Sequence, residues 1–143
     1  MEKKIFKTTI GKALDEYGFR FVKKSHYKET EELIVVVSTQ KSSFDDSQYI
    51  NYGFLIKNES PEVKYPKDNE CDVIGRFIFQ IKGKKSDNID LNSLNEEELS
   101  NAVKENVEKV IMPVLDFGLA KYFEMYPELL VTANLKAKKH LNL

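Results

Sequence analysis

The run Leu33-Ile34-Val35-Val36-Val37 limits what this chain can fold into more than any other segment. Four of its five residues are β-branched, and β-branched side chains favour a strand. The run is also apolar at positions that point to both faces of a strand. Because a strand that is apolar on both sides needs cover on both sides, this segment predicts a central strand of a sheet.

Shorter strands are predicted on both sides of this run. Phe19 to Lys24 and His26 to Glu29 precede it as two short strands. Tyr49 to Ile56 follows it, and its alternation predicts one apolar face, formed by Ile50, Tyr52, Phe54 and Ile56. Asn51 and Gly53 belong to the other face. A polar, proline-containing stretch from Asn58 to Asp72 predicts a loop before strand character resumes at Arg76, where Phe77, Phe79 and Ile81 alternate with Arg76, Ile78 and Gln80.

Helices are predicted at both ends of the chain. Apolar residues recur at helical spacing over residues 3–17, and Gly18 follows where a helix would stop. Asn95 and Glu98 have the spacing of a capping box, which predicts the start of a long helix that Pro113 should kink or divide. Pro127 suits the first turn of a final helix that buries Leu130, Ala133 and Ala137.

This order of elements predicts an α+β fold. It consists of an N-terminal helix, a mostly antiparallel sheet of about five strands and C-terminal helices packed on one face. A chain of 143 residues can bury a sizeable core, so we expect one domain over residues 1–143.

Charge and composition disfavour several classes of function. The 22 basic and 23 acidic residues leave a net charge of -1, which gives no overall attraction to nucleic acid or to an anionic membrane. We expect no membrane segment and a cytoplasmic location, because no apolar run has the length of a signal peptide or a span. Lys23, Lys24, Lys82, Lys84 and Lys85, with Tyr27 and Phe44 for stacking, form the one argument for nucleic-acid binding.

Metal and cofactor chemistry is not predicted. Cys71 is the single cysteine, and its neighbours Glu70 and Asp72 disfavour a thiolate, so a small half-buried side chain is the expected role. His26 and His140 are the only histidines and have no metal-ligand spacing. Glycine-rich phosphate-binding patterns are absent, so we expect no metal and no cofactor.

One surface is left as a candidate site. If the aromatic residues of the strands pack against the helices, strand parity places Asn51, Gly53, Arg76 and Gln80 on the opposite, polar face. Arg76 offers a rigid fork for a carboxylate or phosphate, and Gly53 leaves a gap in that face. Gln40, Lys41 and Ser42, at the end of the central strand, border it.

Several segments together resemble a bacterial domain-of-unknown-function family, number 4304. They are Gly18-Phe19, the basic aromatic hairpin through Tyr27, Gln40-Lys41-Ser42, Cys71 with the following strand at Arg76, and Met112-Pro113-Val114-Leu115. The resemblance implies the same single α+β domain and no defined activity. This chain has no Trp, whereas family members often carry one after the Gln-Lys-Ser segment and one before the long helix. Phe44 and Ile89 or Leu91 stand near those places.

Two functions follow from these observations. The leading hypothesis is a non-catalytic binding or interaction module whose partner, a protein or a small molecule, contacts the open polar face. The alternative is a small ligand-binding domain or enzyme with a pocket near Arg76 and Lys41, in which Tyr27 takes part. Nucleic acid is the least favoured partner.

Overall fold

The computed structural model describes residues 1–143, which form five α-helices and seven strands. The helices are α1 Lys3–Asp15, α2 Glu96–Asn106, α3 Met112–Phe117, α4 Leu119–Met125 and α5 Leu135–His140. The strands are β1 Arg20–Val22, β2 Ser25–Glu29, β3 Leu33–Lys41, β4 Gln48–Ile56, β5 Val73–Arg76, β6 Phe79–Ile81 and β7 Lys84–Ser86. This order confirms the predicted α+β class. No helix has both the length and the apolar character needed to cross a membrane.

Strands β1 to β5 form one sheet in sequence order, and every neighbouring pair is antiparallel. The predicted central strand, β3, lies in the middle and is buried from Leu33 through Ser38. Its apolar residues alternate between two cores, as expected for a strand that is covered on both sides.

One face of the sheet packs against the helices. A cluster of 27 buried residues lies between them and includes Phe54, Phe77 and Tyr122. The ring of Phe54 meets that of Tyr122 edge to face, with centroids 5.7 Å apart. We call this side the helix face.

The opposite side, which we call the outer face, has its own small core. Tyr27, Ile34, Val36, Leu55 and Cys71 pack there. Residues 57–72, the covering loop, close over this cluster and include a short 3₁₀ turn at Asp68–Glu70. The outer face is therefore only partly open, and the prediction of an open polar face is wrong over its centre.

The long C-terminal helix begins as the sequence predicts. Asn95 Oδ1 accepts a hydrogen bond from the Glu98 amide at 2.8 Å, and Glu98 Oε1 accepts one from the Asn95 amide at 3.0 Å. Pro113 divides the helix as expected, because its missing N–H cannot bond the carbonyl of Lys109. The π-helical turn Val107–Ile111 connects α2 to α3. The Tyr126 hydroxyl donates a hydrogen bond to the Lys109 carbonyl at 3.5 Å.

The final helix differs from the prediction. Residues Pro127–Thr132 form a 3₁₀ helix, and a separate α5 begins after Asn134, whose side chain accepts from the Ala137 amide. The break exists because the chain pairs with the sheet here: Ala133 bridges Val73, and the Asn134 amide donates to the Asp72 carbonyl at 2.8 Å.

The strand predicted from Arg76 is also divided. β5 ends at Arg76, and β6 pairs with β7 as a separate two-stranded hairpin. The alternation survives the break, since Phe77 and Phe79 are buried while Ile78 and Gln80 are exposed. Asn106 of α2 holds the break: its side chain bonds both the amide and the carbonyl of Ile78, at 3.0 and 2.9 Å.

Candidate functional site

A group of polar side chains lies on the outer face where β3, β4 and β5 run side by side. The strand register places Gln40 opposite Tyr49 and places Ser38, Asn51 and Arg76 in one row. We call Gln40, Tyr49, Asn51, Arg76 and Asp87 the arginine cluster. Successive antiparallel strands lie about 4.8 Å apart, so side chains in neighbouring rows can bond one another.

Hydrogen bonds fix the orientation of the guanidinium in this cluster. Arg76 Nε donates to Asn51 Oδ1 at 3.0 Å, and Asn51 Nδ2 donates to Gln40 Oε1 at 2.8 Å. A longer contact of 3.4 Å joins Arg76 Nη2 to the same oxygen of Gln40. Because Asn51 is buried, its amide provides a rigid support, and Arg76 is held in one orientation at the surface.

Two further groups border Arg76. Its guanidinium carbon lies 4.0 Å from the centre of the Tyr49 ring, a stacking contact. Asp87 Oδ2 lies 3.3 Å from Nη1, and both side chains of this ion pair are 40% exposed. An ion pair this exposed contributes little to stability, and solvent or another carboxylate can readily take the place of Asp87.

Apolar side chains flank the cluster along the same line of residues. Ile74 is 45% exposed and Ile78 is 51% exposed, one on each side of Arg76. β5 is the edge strand of the sheet, so this line stands at the rim of the molecule. The result is a surface strip with an arginine between two isoleucines.

A groove of about 610 Å³ continues from this strip toward α2. Ile78, Gln80 and Lys85 line one side, and residues of α2, among them Glu98 and Asn101, line the other. Gln80 is predicted to share a sheet face with Arg76, but it belongs to the separate β6–β7 hairpin. The two residues line the same groove.

Two other predicted site residues, Tyr27 and Lys41, also lie outside the arginine cluster. Tyr27 is buried in the outer-face core, its hydroxyl donates to the Pro66 carbonyl at 3.0 Å, and burial raises its pKa. Lys41 lies at strand parity opposite to Gln40 and pairs with Asp46 at 3.8 Å. These residues therefore support the fold or its loops and do not approach Arg76.

Ser42 has a structural role in the β3–β4 turn. It is buried, and its Oγ accepts from the Phe44 amide at 3.1 Å. Across the turn the Ser47 hydroxyl and amide bond Asp45, and these bonds lower the pKa of Asp45. The turn leaves Phe44 95% exposed, whereas Ile89 is buried in the main core and pairs with Gln48.

The gap predicted at Gly53 is filled. A Cβ built on Gly53 would lie 2.7 Å from both Cβ and Sγ of Cys71 and 2.8 Å from the Asp68 carbonyl oxygen. Cys71 therefore occupies the space, and burial raises the pKa of its thiol, with Asp68 and Asp72 adding to the effect. The thiol is a packing group here, more buried than the sequence predicts.

A second concavity was missed by the sequence analysis. It lies on the helix face between α1 and the β1–β2 hairpin, holds about 610 Å³ and includes His26. His26 is only 9% exposed, because it pairs with Val37 of the central strand and points toward α1. Strand parity is the signal in the sequence for this position, because His26 lies on the same face of the sheet as Phe21, Val37 and Tyr52.

Neither a metal centre nor one continuous basic patch is found. No three His, Cys, Asp or Glu side chains converge in a group that could hold a metal ion. Lys23 and Lys24 lie at the β1–β2 turn, whereas Lys82, Lys84 and Lys85 lie in the hairpin that follows β5. β1 and β5 are opposite edges of the sheet, about 19 Å apart at four strand spacings. The two lysine groups therefore do not form one site.

Comparison with known proteins places most of this chain in a described family. The family model for a domain of unknown function, DUF4304, matches residues 10–116. That span contains every residue of the arginine cluster. No curated protein and no solved structure matches the chain.

Proposed function

The chain belongs to the DUF4304 family, and from this premise we propose that it is a non-catalytic binding module that holds a carboxylate-bearing protein partner at the arginine cluster. The single observation that carries this proposal is the supported position of Arg76, stacked on Tyr49 and bonded by Asn51. An arginine held in place loses little conformational entropy when it binds, so more of its interaction energy contributes to affinity.

The surroundings of Arg76 suit a protein partner. Arginine and tyrosine are enriched among the residues that dominate binding energy at protein interfaces, and such residues work best with apolar neighbours that exclude water. Ile74 and Ile78 supply those neighbours. A partner carboxylate would replace Asp87, whose contact with Arg76 is exposed and long.

The chemistry of the cluster supports binding over catalysis. It contains no histidine and no thiol, and the nearest cysteine, Cys71, is buried with a raised pKa. Ser38, in the same row, already donates its hydroxyl to Asp68 at 2.6 Å. A nucleophile with an adjacent base is therefore not assembled here.

A small-molecule ligand is the second candidate for this region. The groove beside α2 favours it, because its lining carries Lys85 and Lys109 together with Glu98 and Glu105. The predicted pairing of Arg76 with Lys41 does not support it, since Lys41 lies at opposite strand parity. A cytoplasmic location remains part of the proposal.

The proposal is tested by charge reversal at Arg76 with a matched control. Wild-type protein, Arg76→Glu and Arg20→Glu are immobilised, and proteins captured from nuclease-treated lysate of the native host are quantified by mass spectrometry. Arg20 is the only other arginine, is exposed and lies on the opposite edge strand. We expect a stoichiometric partner that Arg20→Glu retains and Arg76→Glu loses by about tenfold or more, the usual cost at an interface arginine.

Two results would oppose the proposal. Equal capture of one partner by Arg76→Glu and wild-type protein would move the interface elsewhere. Absence of any stoichiometric partner would favour the small-molecule candidate. Thermal unfolding of all three proteins checks that Arg76→Glu has not lost its fold.

A further inference from the structure

The groove between α1 and the β1–β2 hairpin is independent of the arginine cluster. It lies on the helix face of the sheet, whereas the cluster lies on the outer face. Its volume of about 610 Å³ is within the range of small-molecule sites. Its lining comes mainly from α1 and the β1–β2 hairpin, with Thr39 of β3.

The base of the groove is apolar and one wall is aromatic. Ile10 and Phe19 are buried at its base. Phe21, 65% exposed, stands at the wall with its ring centre 4.8 Å from that of His26. A strand residue of this size normally loses most of its exposure to packing, so Phe21 offers an uncovered ring face to whatever enters the groove.

His26 is the unusual polar group of this site. More than nine-tenths of its surface is buried, and its imidazole forms no hydrogen bond with the protein. No buried nitrogen or oxygen in the structure lacks a partner, so the ring nitrogens reach the groove, where a guest can bond them. An imidazole whose nitrogens open into a groove can donate a hydrogen bond to a ligand there or accept one from it.

The charges around the groove are mostly positive. Lys7, Lys12 and Lys24 contribute three cations that have no ion-pair partner in the protein, against the single carboxylate of Asp15. The chain as a whole has a net charge of -1, so this excess is local. Cations beside a low-dielectric apolar surface attract an anion more strongly than cations on an open surface.

The turn that carries Lys24 is built in an unfavourable conformation. Lys23 and Lys24 are the two central residues of the hairpin turn and have φ of 52° and 79°. Such turns normally use Asn-Gly, because other side chains are strained at positive φ. Here lysines replace the favoured residues, and the turn holds Lys24 at the mouth of the groove.

From this geometry we propose that the α1–hairpin groove binds a small organic anion with a flat aromatic body. The aromatic body lies against Phe21 and the apolar base, and the anionic head, a carboxylate or a phosphate, meets Lys12 and Lys24. His26 supplies a hydrogen bond at the junction of the two parts. This site is separate from the proposed partner surface, and either can fail without the other.

The test uses the full chain labelled with ¹⁵N and a set of naphthalene probes. 1-Naphthoate and 1-naphthyl phosphate carry the aromatic body with the two head groups, 1-naphthalenemethanol lacks the charge, and inorganic phosphate lacks the ring. We expect saturable amide shifts at Gly11, His26 and Thr39 with at least one charged naphthalene probe. The alcohol and phosphate alone should bind about tenfold more weakly or worse, since each lacks one half of the interaction.

Variants separate the groove from general charge effects. Lys12→Glu and Lys24→Glu combined should weaken the charged probe by about tenfold or more, since two attractive charges become repulsive. His26→Phe keeps the stacked ring and removes the hydrogen bond, so it should weaken binding severalfold. Lys84→Glu, an exposed lysine of β7 outside the groove, is the matched control and should leave binding unchanged.

Two outcomes would overturn the proposal. One is the absence of saturable shifts at Gly11, His26 and Thr39 with both charged naphthalene probes. The other is equal weakening by Lys84→Glu and by the single reversal Lys24→Glu, which change the net charge equally; this would indicate attraction to net charge alone. Melting temperatures of the variants identify any loss of fold, and in that case the single reversal Lys24→Glu decides between the outcomes.

Discussion

The two faces of the sheet are stabilised in different ways. The helix face rests on 27 buried residues that pack as one continuous apolar volume. The outer face has five, and the covering loop is attached there by individual contacts such as Tyr27 to Pro66 and Ser38 to Asp68. A large apolar core is insensitive to any single polar contact, whereas a small core under a loop depends on a few fitted ones. The exposed cluster around Arg76 exists because the covering loop stops short of it.

The largest losses of stability are expected when one leucine is truncated to alanine on each face, and the loss should differ between the two faces. Leu33→Ala opens a cavity among helices and strands that cannot collapse, and we expect a loss of about 4 kcal/mol. Leu55→Ala lies under the covering loop, which can settle into the space, so a loss of about 2 kcal/mol is expected. Urea unfolding of both variants measures the difference. Equal losses would mean that the covering loop is as rigid as the helices.

Glycine-to-alanine substitutions make the next comparison. A Cβ on Gly75 would stand 2.8 Å from Cε1 of Tyr52 and closer still to its Cζ and hydroxyl oxygen. The ring is fixed in the main core, so we expect Gly75→Ala to cost about 3 kcal/mol. Gly53→Ala meets Cys71 and the Asp68 carbonyl in the covering loop, which can shift outward, and should cost about 1–2 kcal/mol. A Gly53→Ala cost above that of Gly75→Ala, from the same unfolding measurement, would contradict this ranking.

Asp72 connects the covering loop to the last helix, and its substitution should have the third-largest effect on stability. Its buried carboxylate accepts from the Ile56 amide and from Asn134 Nδ2, both at 2.8 Å. Asp72→Asn must point an NH₂ at one of these donors, which should cost about 1–2 kcal/mol. Asp90→Asn, an exposed aspartate, is the control for the change in charge. Chemical unfolding that showed no difference between the two variants would rule out this connection as a source of stability.

The smallest effect concerns pH at the helix face. Burial lowers the pKa of His26 below its usual value of 6.5, so the unfolded chain binds a proton more readily than the folded one. Stability should therefore fall as the pH drops below about 6.5, and His26→Phe should lose that part of the slope. Lys7, Lys12, Asp15 and Lys24 face the same groove and are unchanged in His26→Phe, so the difference between the two proteins reports on His26. Melting temperatures at pH 7.5 and 5.5 measure it; equal pH slopes would show that His26 is not buried in solution.

Local patterns predicted most of the fold. Alternation identified the helix-face residues from Ile50 to Ile56 and the buried rings of Phe77 and Phe79, because strand parity depends only on position in the chain. Ile81 is only partly buried, and the burial of Asn51 and Gly53 on the outer face does not follow from alternation. The capping box at Asn95 and the interruption at Pro113 were also predictable, since each involves residues a few positions apart. Of the residues predicted for the site, Gln40, Asn51 and Arg76 lie together and Gln80 lies across a groove from Arg76, whereas Tyr27, Lys41 and Ser42 lie elsewhere.

The sequence by itself determined the elements, the α+β class and the side of each strand that is buried on the helix face. Only the tertiary structure decided what covers the other side: Cys71 fills the space above Gly53, and Asn106 holds the chain where β5 ends. It also decided that His26 is buried beside an open groove. The physical reason is distance along the chain. Parity, capping and helix breaking act between near neighbours, whereas these contacts join residues 15 to 28 positions apart, and no local pattern specifies such a pairing.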